Sequence, residues 1–301
     1  MDLAYQHTTG GIPLVRTGPT MGRTLAKITL LAALLGLPAT ARGQIVAPAG
    51  RTLFNRTVMI RSFVRIDNFD GDVPGHHVRR FTNPYALVWG AYPNLNLTFV
   101  APLVTLQNRN PNDPSQNFTR TGFANGAIFA RYDLLRKNVP GGFTRLSPEV
   151  GVKMPSGGAF STGSTDPIGA LNFTHVRDPH WLIADAQFTY STTGDNGVRM
   201  GNRWNYDVGY LYRVFPRGGL GVPFVLLVLE VNAEHVRRTR INGTKISDSG
   251  GNLVFLSPGV EFQPYNRLLL EFSVPIPVVR DLNGKQLRPS SSFIIGIRWL
   301  F

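Results

Sequence analysis

The sequence predicts an all-β fold: a transmembrane antiparallel β-barrel of about twelve strands, preceded by a cleaved signal peptide. Three observations carry this expectation. From residue 57 onward, large apolar side chains recur at every second position in segments of about 10–13 residues. That is close to the ~9–11 residues that cross a bilayer as a tilted strand, and longer than the ~5–6 of an ordinary soluble strand. The first forty residues read as an export leader. The connectors between segments alternate between short and long.

Bulk composition sets outer bounds. The 301 residues carry a net charge of +13, a mean hydropathy of −0.04, 43% hydrophobic residues and 16% charged residues. The charged share lies below the roughly 25% of a typical soluble domain. The absence of cysteine excludes disulfides, thiolate metal ligation and cysteine nucleophiles. A basic chain suits nucleic acid or anionic membrane phosphates, and a leader followed by lipid-facing strands argues against nucleic acid.

The leader has the usual three parts. Met21 to Lys27 is short and cationic, ITLLAALLGL (28–37) is apolar, and Ala39-Thr40-Ala41 offers a cleavage site. The apolar run is about half the ~20 residues of a helical span. Residues 1–41 are therefore expected to be a signal peptide, with Met21 as an alternative start. Residues 42–56 form a short periplasmic segment, and 57–301 form the barrel. No later stretch offers ~18 consecutive apolar residues, so an integral protein has to cross with closed strands.

Each segment sorts its residues onto two faces, as strands do. In 57–67, Val58, Ile60, Val64 and Ile66 oppose Arg61, Phe63, Arg65 and Asp67. In 95–105, Leu95, Leu97, Phe99, Ala101 and Leu103 oppose Asn96 and Thr98. In 143–154, Leu146, Val150, Val152 and Met154 oppose Arg145, Ser147, Glu149 and Lys153. In 202–214, Trp204, Tyr206, Val208, Tyr210 and Tyr212 oppose Arg203, Asn205, Asp207 and Arg213. In 267–278, Leu268, Leu270, Phe272, Val274 and Ile276 oppose Glu271 and Ser273. In an outer-membrane barrel the apolar face meets lipid and the polar face an aqueous lumen. Trp89, Tyr190, Trp204 and Trp299 fall near segment ends, where interfacial aromatic girdles sit.

Short connectors are expected at Pro93-Asn94, 136–142, 177–180, 216–222 and 263–266. Long ones are expected at 68–80, 106–120, 155–165, 192–201, 236–251 and 279–290. They alternate strictly once a strand with weak alternation is placed at 166–176. This pattern of short periplasmic turns and long outer loops gives an even strand count with both barrel termini at the periplasm. Pro102, Pro148, Pro258 and Pro275 fall inside proposed strands, and a missing ladder donor should place them at bulges or strand ends. LSPEVGVK (146–153) echoes LSPGVEFQ (256–263), and LTFVAPLV (97–104) echoes LEFSVPIP (270–277). A hairpin duplication and convergent patterning explain these echoes equally well.

The chain closes on Phe293, Ile295, Ile297, Trp299 and Phe301, one parity of a strand. This segment resembles the C-terminal strand of bacterial outer-membrane barrels. The resemblance implies that these five residues form the insertion signal read by the barrel-assembly machinery. KMPSGGAFSTGS (153–164) and LSPGVEFQPYNRLLLEFSVPIP (256–277) are similar to stretches of the outer-membrane family known as the meta-pathway of phenol degradation. That resemblance implies a transporter-like barrel for aromatic or other hydrophobic molecules.

Chemical motifs are sparse. His76-His77 sits beside Arg79-Arg80 in an expected basic loop, and His175 and His180 flank a turn. No G-x-S-x-G is present, no strand serine has a histidine in register, and GGAFSTG lacks the Lys-Ser/Thr of a phosphate loop. No cofactor, metal or catalytic residue is expected. The candidate pore-lining residues are the charges of the inward parity: Arg61, Arg65, Arg131, Asp133, Arg145, Glu149, Lys153, Asp185, Arg203, Asp207, Glu230, Glu261, Glu271 and Arg298. They form either a plug of ion pairs or a constriction that selects solute charge. Loop cations, including Arg79, Arg80, Arg109, Arg120, Arg280 and Arg288, suit lipopolysaccharide phosphates. The expected function is passive passage of small solutes across the bacterial outer membrane, among membrane lipid. The alternatives are a non-conducting structural or adhesion barrel and an integral membrane enzyme.

Overall fold

The computed structural model describes residues 56–70, 76–216 and 223–301. The signal peptide and all but the last residue of the N-terminal segment expected at 42–56 lie outside the described residues. Twelve antiparallel staves follow one another in chain order. They are β1 (Val58–Asp70), β2 (His77–Tyr92), β3 (Leu95–Arg109), β4 (three segments, Phe118–Phe123, Gly126–Tyr132 and Leu135–Val139), β5 (Gly142–Met154) and β6 (Asp166–Arg177). After them come β7 (His180–Thr189), β8 (Arg203–Phe215), β9 (Phe224–Val236), β10 (Gly251–Tyr265), β11 (Leu268–Ser273 and Ile276–Leu282) and β12 (Arg288–Leu300). β12 pairs with β1 from Met59↔Leu300 to Asp70↔Arg288, so the sheet closes and leaves no edge strand. Both barrel termini lie at the end carrying the short turns. No α-helix occurs among the described residues; two one-turn 3-10 helices, Pro114–Gln116 and Asp195–Gly197, sit in loops.

Burial alternates along the staves as the sequence patterning requires. Outward residues such as Ile60, Leu87, Phe99, Val150, Val208, Leu229, Phe272 and Ile295 are exposed in the isolated chain. An unbroken belt of this kind would be an aggregation surface in water and is the lipid-facing surface of a membrane barrel. Trp299 stacks near Tyr265 and Phe301 at the short-turn end. Trp204 stacks with Phe188 toward the long-loop end.

The prolines find a consistent place. Pro102 lies where the β3–β4 register changes by one residue, opposite the Ala124-Asn125 break, and its carbonyl accepts the Ala124 N–H. Pro148 faces the second break of β4, at Asp133-Leu134. Pro258 faces the Val274-Pro275 break of β11 and accepts the Val274 N–H. A strand that lacks a donor is matched by a neighbour that interrupts its ladder there.

Several expected connectors are shorter than the sequence suggested. Ladders run on past the lipid belt to Asp70↔His77 and His77↔Arg109, and β11 continues to Leu282, so parts of 68–80, 106–120 and 279–290 are strand. The expected connector at 136–142 is mostly strand, with the turn at Pro140-Gly141. The segment at 166–176 is a complete stave, paired along its length with β5 and β7. Its alternation is weak because Ile168 and Val176 point inward while Pro167 and Gly169 point outward.

Candidate functional site: the barrel interior

Strand parity turns the predicted inward charges to one side of the wall, and closure brings residues distant in sequence together there. The tightest group sits at the seam. Arg61 donates to both carboxylate oxygens of Glu271, at 3.1 and 2.9 Å. Arg298 does the same at 3.0 and 2.8 Å and also reaches Glu261 at 3.4 Å. Glu261 and Glu271 are direct cross-strand partners, as are Arg61 and Arg298. Two like-charge pairs that would each repel are thereby set beside one another with opposite sign. Gly296 makes the room: a Cβ there would lie 2.9 Å from Phe63 Cβ and 3.1 Å from Glu271 Oε1.

A second group centres on Asp67. It accepts from Arg65 Nε at 2.7 Å, Arg80 Nη2 at 2.6 Å and Ser292 Oγ at 2.7 Å. Arg131 pairs with Glu149 at 2.7 Å, Arg203 with Glu234 at 3.1 Å, and Lys153 with Asp166. Asp207 accepts from Asn232 Nδ2, whose Oδ1 accepts from Ser257, a chain that crosses three staves. Asp185 stands directly opposite Asp207, and Glu230 is fully buried on the same wall. Asp133 and Arg145 lie 3.6 Å apart near the short-turn end. There Asp133 accepts from Ser147, and Arg145 holds Asn138 and backbone carbonyls beside the second break of β4.

All fourteen predicted charges thus lie on the inner face. The interior charges are unevenly spread: Asp185, Asp207, Glu230, Glu234, Glu261 and Glu271 outnumber Arg203 and Arg213 on β7–β11, while Arg298, Arg61, Arg65 and Arg80 outnumber Asp67 on β12, β1 and β2. Sequence reasoning places Arg80 in a solvated loop. It is 5% exposed and bound to Asp67 inside the barrel, because the β1–β2 ladder runs on past it to Asp70↔His77. Asp166 and Asp178, the partners of Lys153 and Arg213, are also missed by that reasoning, since Asp166 begins a strand and Asp178 lies in the turn after it.

The interior is not purely polar. Phe63, Ile183, Leu211, Phe224, Leu226, Val228 and Ile294 form one buried apolar cluster, with Trp181 and Leu269 against it. Ala86, Val100, Phe129 and Ile168 form a second, and Phe69, Val78, Val104, Leu106 and Phe160 a third. Guanidinium groups join the apolar and charged patches. Arg61 lies over Phe63 at 5.0 Å, Arg80 over Phe69 at 5.4 Å, and Arg213 over Phe224 at 5.1 Å. Inward parity held the signal for these patches, since Phe63 and Leu211 share it with the charges.

The histidines bond locally: His175 to Thr144, His180 to Tyr210 and His235 to Asn252, all exposed. Among the described residues, no group of three His, Cys, Asp or Glu could hold a metal ion.

No family model matches the chain, and no curated protein matches it in sequence. Solved structures do match in shape. The COG4313 outer membrane channel from Pseudomonas putida F1 aligns with a TM-score of 0.67 at 11% identity, covering 87% of this chain and 100% of that one. The beta domain of the Bordetella autotransporter Brka aligns with a TM-score of 0.50 at 10% identity, covering 82% and 100%. At these identities the likeness speaks for the fold. This protein is a twelve-stranded β-barrel of outer-membrane type, and its fold places it in the bacterial outer membrane.

Proposed function

We propose that the barrel is a channel for passive passage of small solutes across the outer membrane. The observation that carries this reading is the inner wall, where charge clusters alternate with apolar patches. The charge clusters suit polar and ionic solutes, and the apolar patches offer contact to hydrophobic or aromatic molecules, the class implied by the resemblance to the meta-pathway family. The fourteen inward charges are the pore-lining candidates, with Arg61, Arg65 and the opposing acids as the charge filter. Phe293, Ile295, Ile297, Trp299 and Phe301 act as the insertion signal for the assembly machinery. The loop cations other than Arg80 meet lipopolysaccharide phosphates.

Single-channel recording of the purified protein in planar bilayers, with liposome swelling over a panel of sugars, carboxylates and aromatic alcohols, tests the reading. Discrete conductance steps and solute-dependent swelling are expected. A folded barrel that neither conducts nor swells liposomes would make the non-conducting structural reading correct. That alternative has its own support in the extensive pairing of the buried charges.

A further inference from the structure

We infer that the loop 155–165 is a fixed constriction at the long-loop mouth of the barrel, and that Phe160 is the side chain that anchors it inside the wall. This inference rests on the channel reading above. The loop joins β5 to β6, yet Phe160 is 2% exposed and packs on Phe69, Val78, Val104 and Leu106, the inward residues of β1, β2 and β3. Leu287, from the connection before β12, packs against the same cluster. An aromatic ring carried by a surface loop therefore lies inside the wall, several staves from where the loop leaves it. The buried ring holds the loop over space that the barrel would otherwise leave to solute.

The loop is anchored along its length. Its Phe160 N–H donates to the Phe123 carbonyl at 3.2 Å, and Ala124 and Phe160 form a parallel bridge. Asn125 donates to Thr162 Oγ1 and accepts from the Thr162 N–H, each at 2.8 Å. The Asp195 N–H holds the Thr162 carbonyl at 3.0 Å from the neighbouring loop. Gly157 and Gly163 each take φ +69, the left-handed conformation glycine allows. Close approach is built in as well, since a Cβ at Gly122 would lie 2.6 Å from that of Ala159. The Gly- and Ser-rich composition, which on its own looks like a flexible linker, is what lets the backbone turn inward and dock. A constriction held this way has a fixed aperture and acts by size, since pore diameter sets the barrier to passage.

The test compares single-channel conductance of the wild type with Phe160→Ala and Phe160→Trp in planar bilayers. Phe160→Ala should raise conductance on the order of twofold, because the loop loses the anchor that holds it in the passage, and Phe160→Trp, which keeps an aromatic anchor, should leave it near the wild-type value. Phe160→Leu keeps an apolar anchor, should give a smaller rise, and decides the matter if the alanine variant does not assemble. A double variant addresses rigidity. The natural chain has no cysteine, so Gly122→Cys with Ala159→Cys gives a single disulfide after a shift of about 1 Å toward the usual ~3.8 Å Cβ separation. Oxidation should leave conductance unchanged. Wild-type conductance in a folded Phe160→Ala or Phe160→Leu variant overturns the assignment of Phe160, and an altered conductance on oxidation overturns the fixed loop. A wild-type protein that does not conduct at all would instead count against the channel reading itself.

Discussion

Arg61 and Arg298 face each other across the closure between the first and last staves, and both grip the carboxylate of Glu271. Two cations thus share one acid at a site with side-chain exposures of 5%, 13% and 0%. Removing the acid leaves two buried guanidinium groups opposed. Glu271→Ala should therefore lower stability by about 3–5 kcal/mol, the cost of breaking a buried pair. Changing all four members of the cluster to methionine, Arg61→Met, Glu261→Met, Glu271→Met and Arg298→Met, should cost less than the single change, because no buried charge is left without its partner. Urea titrations followed by heat-modifiable gel mobility would check the order, and equal losses would mean the cluster contributes no compensation.

The two sides of β8 should respond differently. Val208 is 51% exposed on the outward face, and Val208→Arg should cost about 2–4 kcal/mol if the residue sits near the bilayer midplane. Asp207→Asn removes a charge that stands opposite Asp185 and should be tolerated. Thermal unfolding in detergent compares them. Equal tolerance of both would contradict the face assignment.

Charge selection can be separated from structural pairing. Arg61→Gln with Arg65→Gln removes two cations from the basic side of the interior and should shift the reversal potential toward cations in a salt gradient. An unchanged reversal potential with a lowered melting temperature would identify these residues as a paired plug.

At the other end of the chain, the Phe301 N–H donates to the Val58 carbonyl at 2.8 Å, and its ring lies beside Trp299. Deleting Phe301 removes both the bond and the aromatic end of the last stave. Outer-membrane levels of the folded form should fall. Normal levels with normal heat-modifiable mobility would rule out a role as insertion signal.

The period-two patterning makes the staves, their faces and their number readable, because lipid on one side and packed side chains on the other impose opposite demands on neighbouring residues. Val208 and Asp207 are an example. Arg80 escapes that reading because the ladder continues beyond the lipid belt, where the outward face is polar and alternation of polarity fades. The apolar clusters are legible only in part: parity puts Phe63 and Leu211 on the inner face, but they join one cluster only across the closed barrel, and neither strand alone says so. Phe160 is hidden for a different reason. A single aromatic among glycines and serines carries no periodicity, and only the docked loop reveals what it packs on.

The seam cluster also bears on how the barrel comes to be assembled. Arg61 lies 210 residues before Glu271, on the first stave, whereas its acid belongs to the eleventh. The two meet only once the twelfth stave has been laid between them. An unfinished barrel therefore carries a guanidinium on its first edge whose acid has yet to arrive, which disfavours settling into lipid at that stage. The last strand completes both the hydrogen-bond ladder and this charge balance in one event.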